Sequence, residues 1–257
     1  MEKKILRKFG FYKDQEGIVN RYLREADKWE LHLTRTRDFI LKSAAARNKS
    51  KAAILGSGWM LDVPYRQLSE IFEEVVFIDI RHPRQIVHRL KKYTNLKCLE
   101  CDISGFVVPV YQLLKLNKKN STKLVLSELQ AEFPVFFTDL ISQADFVVSV
   151  NLLNQLDILI CDYIAKTKQY INNEISVLRK KIQQCHLDIL PKHKSILITD
   201  YEELNLNGQD HVVNRRSLVH VEIPENLIRE KWKWEFDTKK TFHSDFKTVF
   251  KVMAVEL

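Results

Sequence analysis

A Gly-x-Gly pair, Gly56-Ser57-Gly58, follows the apolar run A-A-I-L and precedes a helix-like stretch. Glycines at such a junction let the backbone turn sharply and let a ligand come close to it. Asp79 closes the next apolar run, E-V-V-F-I-D, 23 residues after Gly56. A separation of roughly 20 puts an acidic side chain where it accepts both ribose hydroxyls of an adenosine ligand. Asp102, in C-D-I, ends a third run. Its carboxylate reads equally as an acceptor for an adenine amino group and as a helix-capping turn residue. Asn151 ends a fourth run, F-V-V-S-V-N, inside the polar cluster Ser149, Asn151, Asn154 and Gln155. Position 61 is Leu61, not the third glycine of a dinucleotide fingerprint, and the sequence has no Gly-Lys-Ser/Thr phosphate loop. Nicotinamide and nucleoside triphosphate ligands are therefore disfavoured.

Positioning these residues requires strands that end at one rim. Apolar runs at 52–55, 75–80, 96–99, 146–150 and 195–199 alternate with helix-like segments at 65–72 and 85–92 and one long helix over 156–185. Near-continuous apolar strands between helices indicate a parallel sheet covered on both faces. The runs 231–236 and 248–256 have no helix between them and read as an added hairpin. Trp232 and Trp234 share one of its faces and are expected to pack under helices. Residues 106–140 and 204–230 read as excursions, the first with a polar, helix-poor stretch at 117–122. Ile18, Tyr22, Ala26, Trp29 and Leu33 recur at three or four, which predicts an amphipathic helix over 15–47. On it, Trp29 and His32 could fold over the site, though as core and surface residues respectively they need no such role. The expected architecture is α/β: a doubly wound, mostly parallel seven-stranded sheet with a C-terminal antiparallel β-hairpin and an N-terminal helical cap.

The chain has 257 residues and a formal charge of +8. Residues 1–51 hold 14 Lys/Arg against 7 Asp/Glu, and the remainder holds 27 against 26. The excess thus belongs to a basic cap over 1–50, ahead of a nearly neutral domain over 51–257. The cap's arginines are expected to face water, with the cleft as the alternative. Hydrophobic residues at 45% and charged residues at 29% exclude disordered and fibrous classes. No signal-type apolar core follows the charged start, and no run approaches the ~20 apolar residues of a membrane span. A cytoplasmic protein without a membrane partner is expected. Cys98 and Cys101 form a C-x-x-C at a strand end rather than a helix N-terminus, and read as ordinary strand cysteines. No metal site is expected.

The succession of Gly56-Ser57-Gly58, Asp79, Asp102 and Asn151, closed by W-K-W-E-F…T-V-F-K-V-M-A-V-E-L, resembles the class I S-adenosylmethionine-dependent methyltransferases. The resemblance covers roughly residues 51–257. It implies a Rossmann-like fold and S-adenosylmethionine as cofactor, contacted by Gly56, Ser57, Gly58, Trp59, Asp62, Asp79, Ile80, Asp102, Ile103 and Asn151. The chain departs from the family at Ile54, where an acidic residue is usual, and at Met60, where a small one is. Asp62 is the expected replacement partner for the cofactor's amino group. S-V-N-L-L differs from the Asn/Asp-Pro-Pro-aromatic segment of adenine N6 enzymes, so a small-molecule acceptor is the favoured partner.

In-line methyl transfer needs alignment and sometimes a base. Asn151, Asp200, Tyr201 and His220 are the catalytic candidates at the rim. Two other readings compete: an inactive nucleoside-binding protein of this fold, and an RNA methyltransferase using the basic N-terminal helices. The second is less favoured, because no aromatic–basic RNA signature is present in the sequence. The oligomeric state is left open.

Overall fold

The computed structural model describes residues 2–117, 125–167 and 172–257. Strands β1 (Lys51–Leu55), β2 (Glu74–Asp79), β3 (Leu96–Glu100), β4 (Phe146–Val150) and β5 (Ser195–Leu206) run parallel. Successive side chains on them enter opposite layers. Ala52 and Ile54 join one core with Phe77 and Val148, while Ala53 and Leu55 join another with Ile78 and Val147. Helices α3 (Tyr65–Ile71) and α4 (Arg84–Leu90) cover the first layer through Leu68 and Ile86. The second is covered by α6 (Val135–Gln143) through Phe137 and Ile141. β7 (Ile228–Asp237) and β8 (Lys247–Glu256) form the antiparallel hairpin, and β8 lies against β5. The order is β3-β2-β1-β4-β5-β8-β7. The fold that the resemblance implies is the fold observed.

Three expectations need correction. The sheet has an eighth strand, β6 (Val212–Ser217), paired with the outer half of β5. All six of its residues are exposed, so no burial pattern marks it in the sequence. The single helix expected over 156–185 is two, α7 (Ile158–Ala165) and α8 (Asn172–Ile189), with residues 168–171 outside those described. The excursion at 106–140 contains α5 (Val107–Asn117) besides α6; residues 118–122 of its polar stretch are outside those described.

At the N-terminus, α1 (Lys3–Phe9) precedes α2 (Phe11–Ala45), so helix begins earlier than expected. Gly10 joins them at φ +95°, a left-handed conformation that glycine adopts without strain. α2 lies along β7, whose alternating pattern presents Trp232, Trp234 and Phe236 to the core. Trp29 stacks on Phe236 at 5.6 Å and meets Trp234 edge-on at 4.7 Å. Its indole N–H donates to the Phe236 carbonyl at 2.9 Å.

The helix is interrupted at Glu25, where φ is −118° and ψ 19°. The buried Glu25 carboxylate accepts from the Thr238 amide at 3.0 Å, the Thr238 hydroxyl at 2.7 Å and the Lys239 amide at 2.9 Å. A carboxylate closing three donors across two distant segments is worth more than a surface pair. Glu25→Ala is expected to cost about 2–3 kcal/mol in denaturant unfolding, because it strands those donors; a loss under about 0.5 would contradict this docking.

Candidate active site

β1 has β2 on one side and β4 on the other, so connections leave it in opposite directions and open a crevice at the strands' carboxyl ends. A cavity of about 260 Å³ occupies that crevice, roofed by α2 and bounded by the hairpin. Its floor is the β1 turn. Gly56 has φ +83°, and a Cβ there would lie 2.5 Å from the Val150 carbonyl, so only glycine fits between the ends of β1 and β4. The Gly58 amide donates to Asp79 Oδ2 at 2.9 Å. Ser57 Oγ is 2.9 Å from His82 Nε2, in a buried pair that fixes the loop from below. Burial lifts the Asp79 carboxyl to about 6, against the hydrogen bond from Gly58. Ile80 and Ile103 line the same end.

Asp102 also lines the cavity, and its capping role is realised. Oδ1 accepts from the Ser104 amide and hydroxyl, at 3.0 and 2.6 Å. Oδ2 accepts from the Val107 amide at 2.9 Å, at the start of α5. The Gly105 amide adds a fourth donor, so the acceptor positions of this carboxylate are taken by its own loop.

The roof is more intimate than the sequence suggests. Gln15 donates to the Arg81 carbonyl at 2.8 Å, and Trp59 donates from its indole to the Gln15 carbonyl at 2.8 Å. The bulky Trp59 is therefore a tether for α2. His32 is fully buried rather than superficial, and it lines the cavity. It stacks flat on Trp234, with ring centroids 3.9 Å apart. The basic residues of α2 do not simply face water. Arg37 donates to the Leu61 carbonyl, Arg24 to the Thr241 hydroxyl, and Arg21 lines the cavity.

Hydrogen bonds at His32 set the charge of the cavity wall. The Trp232 indole N–H only donates, and it reaches His32 Nδ1 at 3.1 Å. Burial pulls the His32 pKa down to about 3, so the ring is neutral and its one proton sits on Nε2. Nε2 faces a terminal amide atom of Asn151 at 3.1 Å, and the same atom is 2.6 Å from Asp62 Oδ2. A nitrogen there would meet the imidazole N–H. An oxygen would accept from His32 and from a protonated Asp62. Burial raises the Asp62 pKa, and the hydrogen bond from Asn151 and the nearby Arg37 oppose that rise. Asn151, at φ +46°, and Met60, at φ +53°, hold left-handed backbone on either side of this chain of bonds. Strain of that kind is concentrated at working sites.

Asp200 lines the cavity, fully buried, and burial lifts its carboxyl to about 8. Asn154 donates to its Oδ2 at 3.4 Å, and Oδ1 has no partner among the described residues. The next residue on β5, Tyr201, points to the other side of the sheet and lines a separate groove with Val219 and Met253. His220 is also outside the cavity. Its amide accepts no ligand role, since it donates to Gln183 Oε1 at 2.7 Å, and its ring lies near Asp157 and Arg179. The structure therefore brings together every expected site residue except Tyr201 and His220. It adds Gln15, Arg21 and His32, which interrupt the apolar stripe of α2 at helical spacing. Polar residues on a buried stripe were the available signal. Cys98 and Cys101 are free thiols away from the cavity, and burial pushes them up to about 11 and 12. Among the described residues, no helix is long and apolar enough to cross a membrane.

No protein-family model matches this chain, and no curated protein does. Among solved structures, it is similar to the 1,6-didemethyltoxoflavin-N1-methyltransferase of Burkholderia thailandensis, with 10% identity over 95% of this chain and 87% of that one, at a TM-score of 0.42. It is similar to the N-methyltransferase NodS of Bradyrhizobium japonicum, with 12% identity over 87% and 96%, at a TM-score of 0.34. It is also similar to the precorrin-6y C5,15-methyltransferase of Geobacter metallireducens, with 12% identity over 86% and 87%, at a TM-score of 0.33. Identities and scores this low leave the chemistry to be read from the chain's own residues.

A raised acid pKa means the folded state holds a proton that the unfolded state releases. Asp200 therefore contributes a term that falls as pH rises from about 4, its unfolded value, through about 8. Asp200→Asn is expected to flatten the decline of Tm over that range; an unchanged slope would contradict a neutral Asp200. A carbon-13 carboxyl spectrum at pH 6 is expected to show a protonated aspartate signal that Asp200→Asn removes.

Proposed function

We propose that the protein is an S-adenosylmethionine-dependent methyltransferase acting on a small molecule. The observation that carries this reading is Asp79 hydrogen-bonded beneath the Gly56–Gly58 turn, at the crevice where the strand order reverses. Ligands bind such sheets outside the carboxyl ends of the strands, at that switch point. The cofactor would supply an electrophilic methyl group on a sulfonium.

The donor set fits that group. Asp79 would accept the ribose hydroxyls once the Gln15 amide, 3.4 Å from its Oδ1, gives way. Ile80 and Ile103 offer apolar faces to a purine, and Asp102 would accept from its amino group by giving up one of its loop hydrogen bonds. Asn151 and Asp62 stand at the end where an amino acid moiety would lie; as a carboxylate, Asp62 would face an ammonium. Ile54 is fully buried in the core, so the acidic role usual at that position passes to another residue.

Asp200 Oδ1 would receive the proton of the acceptor. With a pKa of about 8, this carboxyl is a base strong enough for an N–H or O–H made acidic by its ring or carbonyl. Asp62 lies near enough to raise it further, and Asn154 opposes that rise. The buried thiols and the distant Tyr201 and His220 take no part in this reading.

Calorimetric titration with S-adenosylhomocysteine is expected to show one site, weakened about tenfold or more by Asp79→Ala. No heat with either S-adenosylhomocysteine or S-adenosylmethionine would overturn the reading. Once an acceptor is in hand, turnover is expected to rise with pH and level off above about 8, with Asp200→Asn removing that rise.

A further inference from the structure

We infer that the part of the cavity between α2 and the β7–β8 hairpin is a slot for a planar aromatic or heteroaromatic acceptor that carries an anionic or carbonyl oxygen. This rests on the proposed methyl transfer only for the word acceptor; the slot itself stands on its walls.

Those walls are ring faces and edges. Trp234, Phe236, Phe250 and Phe242 line the cavity, and the first three are nearly inaccessible. They pack on one another at angles, with Trp234 at 5.0 Å from Phe236 and 5.7 Å from Phe250, both edge-on. Mutually tilted rings leave faces and edges directed along several sides of the space they enclose. A flat ligand inserted there gains both stacked and edge contacts, whereas an aliphatic one gains area alone.

The polar atoms in these walls are unmatched in a consistent way. The Trp234 indole N–H is buried and has no partner among the described residues. The same holds for the Arg21 Nε–H. The Arg21 guanidinium is held over the faces of Phe236 and Phe242, at 4.5 and 4.9 Å, and forms no ion pair among the described residues. Of its three acidic neighbours, Asp237 accepts from Thr241 and Phe242 and Glu25 from Thr238 and Lys239, while Asp14, which also lines the cavity, forms no ion pair with Arg21 among the described residues. Two buried donors, one on a cation, call for an acceptor atom on the ligand. The free Oδ1 of Asp200, once ionised, calls for a proton on it. A ring bearing an oxygen at one edge and an ionisable N–H or O–H at another meets all three demands.

The test uses the full chain with and without saturating S-adenosylhomocysteine. Indole-3-carboxylate and quinoline-2-carboxylate serve as planar probes, and cyclohexanecarboxylate and phosphoethanolamine as non-aromatic ones. Dissociation constants are read by saturation-transfer NMR. The planar probes are expected to bind at least about tenfold more tightly than the others. Arg21→Met and Phe242→Leu are each expected to weaken them about three- to tenfold, and neither removes a core side chain. Equal binding of cyclohexanecarboxylate, no binding of either planar probe, or no effect of Arg21→Met would overturn the inference. Planar probes that bind while S-adenosylhomocysteine does not would overturn the cofactor reading and support the slot.

Discussion

The seating of α2 on the C-terminal hairpin is the contact on which the rest of the site depends. Trp29 lies between Trp234 and Phe236, Glu25 closes the donors of the β7–β8 connection, and His32 stacks on Trp234. Without that seating one layer of the sheet would still have its core, because the cluster of Ala53, Leu55, Ile78 and Val147 holds no buried residue of α2 or the hairpin. The cavity would lose its roof, and with it the burial that neutralises Asp200 and His32 and raises the Asp62 pKa. Charge state and shape in this site therefore share one origin, the exclusion of water by a helix.

Neutralised acids change what the site can do. Five carboxyl groups, those of Asp14, Asp62, Asp79, Asp102 and Asp200, line one cavity, and burial pushes every one of them upward. Were all ionised, their mutual repulsion would oppose folding. Held as mixtures of acids and hydrogen-bonded acceptors, they form a site able to take a cation at one end and a proton at the other.

Much of this was legible in the sequence. The five parallel strands and the hairpin announce themselves because both-face burial demands continuous β-branched and apolar runs. Gly56, Gly58 and Asp79 were legible because a tight turn and a strand-end acid have few substitutes. β6 was not, since exposed V-V-N-R-R-S carries no burial signal and owes its pairing to β5 alone. His32 was misread because one polar residue on an apolar stripe looks like the stripe's edge, and only Trp232 and Asn151 at its two nitrogens show otherwise. Tyr201 was misassigned for a geometric reason: its neighbour Asp200 faces the cavity, and adjacent strand residues cannot both do so.

The contacts between α2 and the hairpin join residues about as far apart as the chain allows. Trp29 and Phe236 are separated by 207 positions, and Glu25 and Lys239 by 214. Closing so long a loop is entropically costly and slow, and during synthesis the partner strands emerge after the parallel strands. The basic helix, made before the sheet, waits with its tryptophan and histidine uncovered until the hairpin leaves the ribosome. A chain halted just before the hairpin would have its parallel strands but not the aromatic wall of the cavity, so emergence of the hairpin and completion of that wall are a single event.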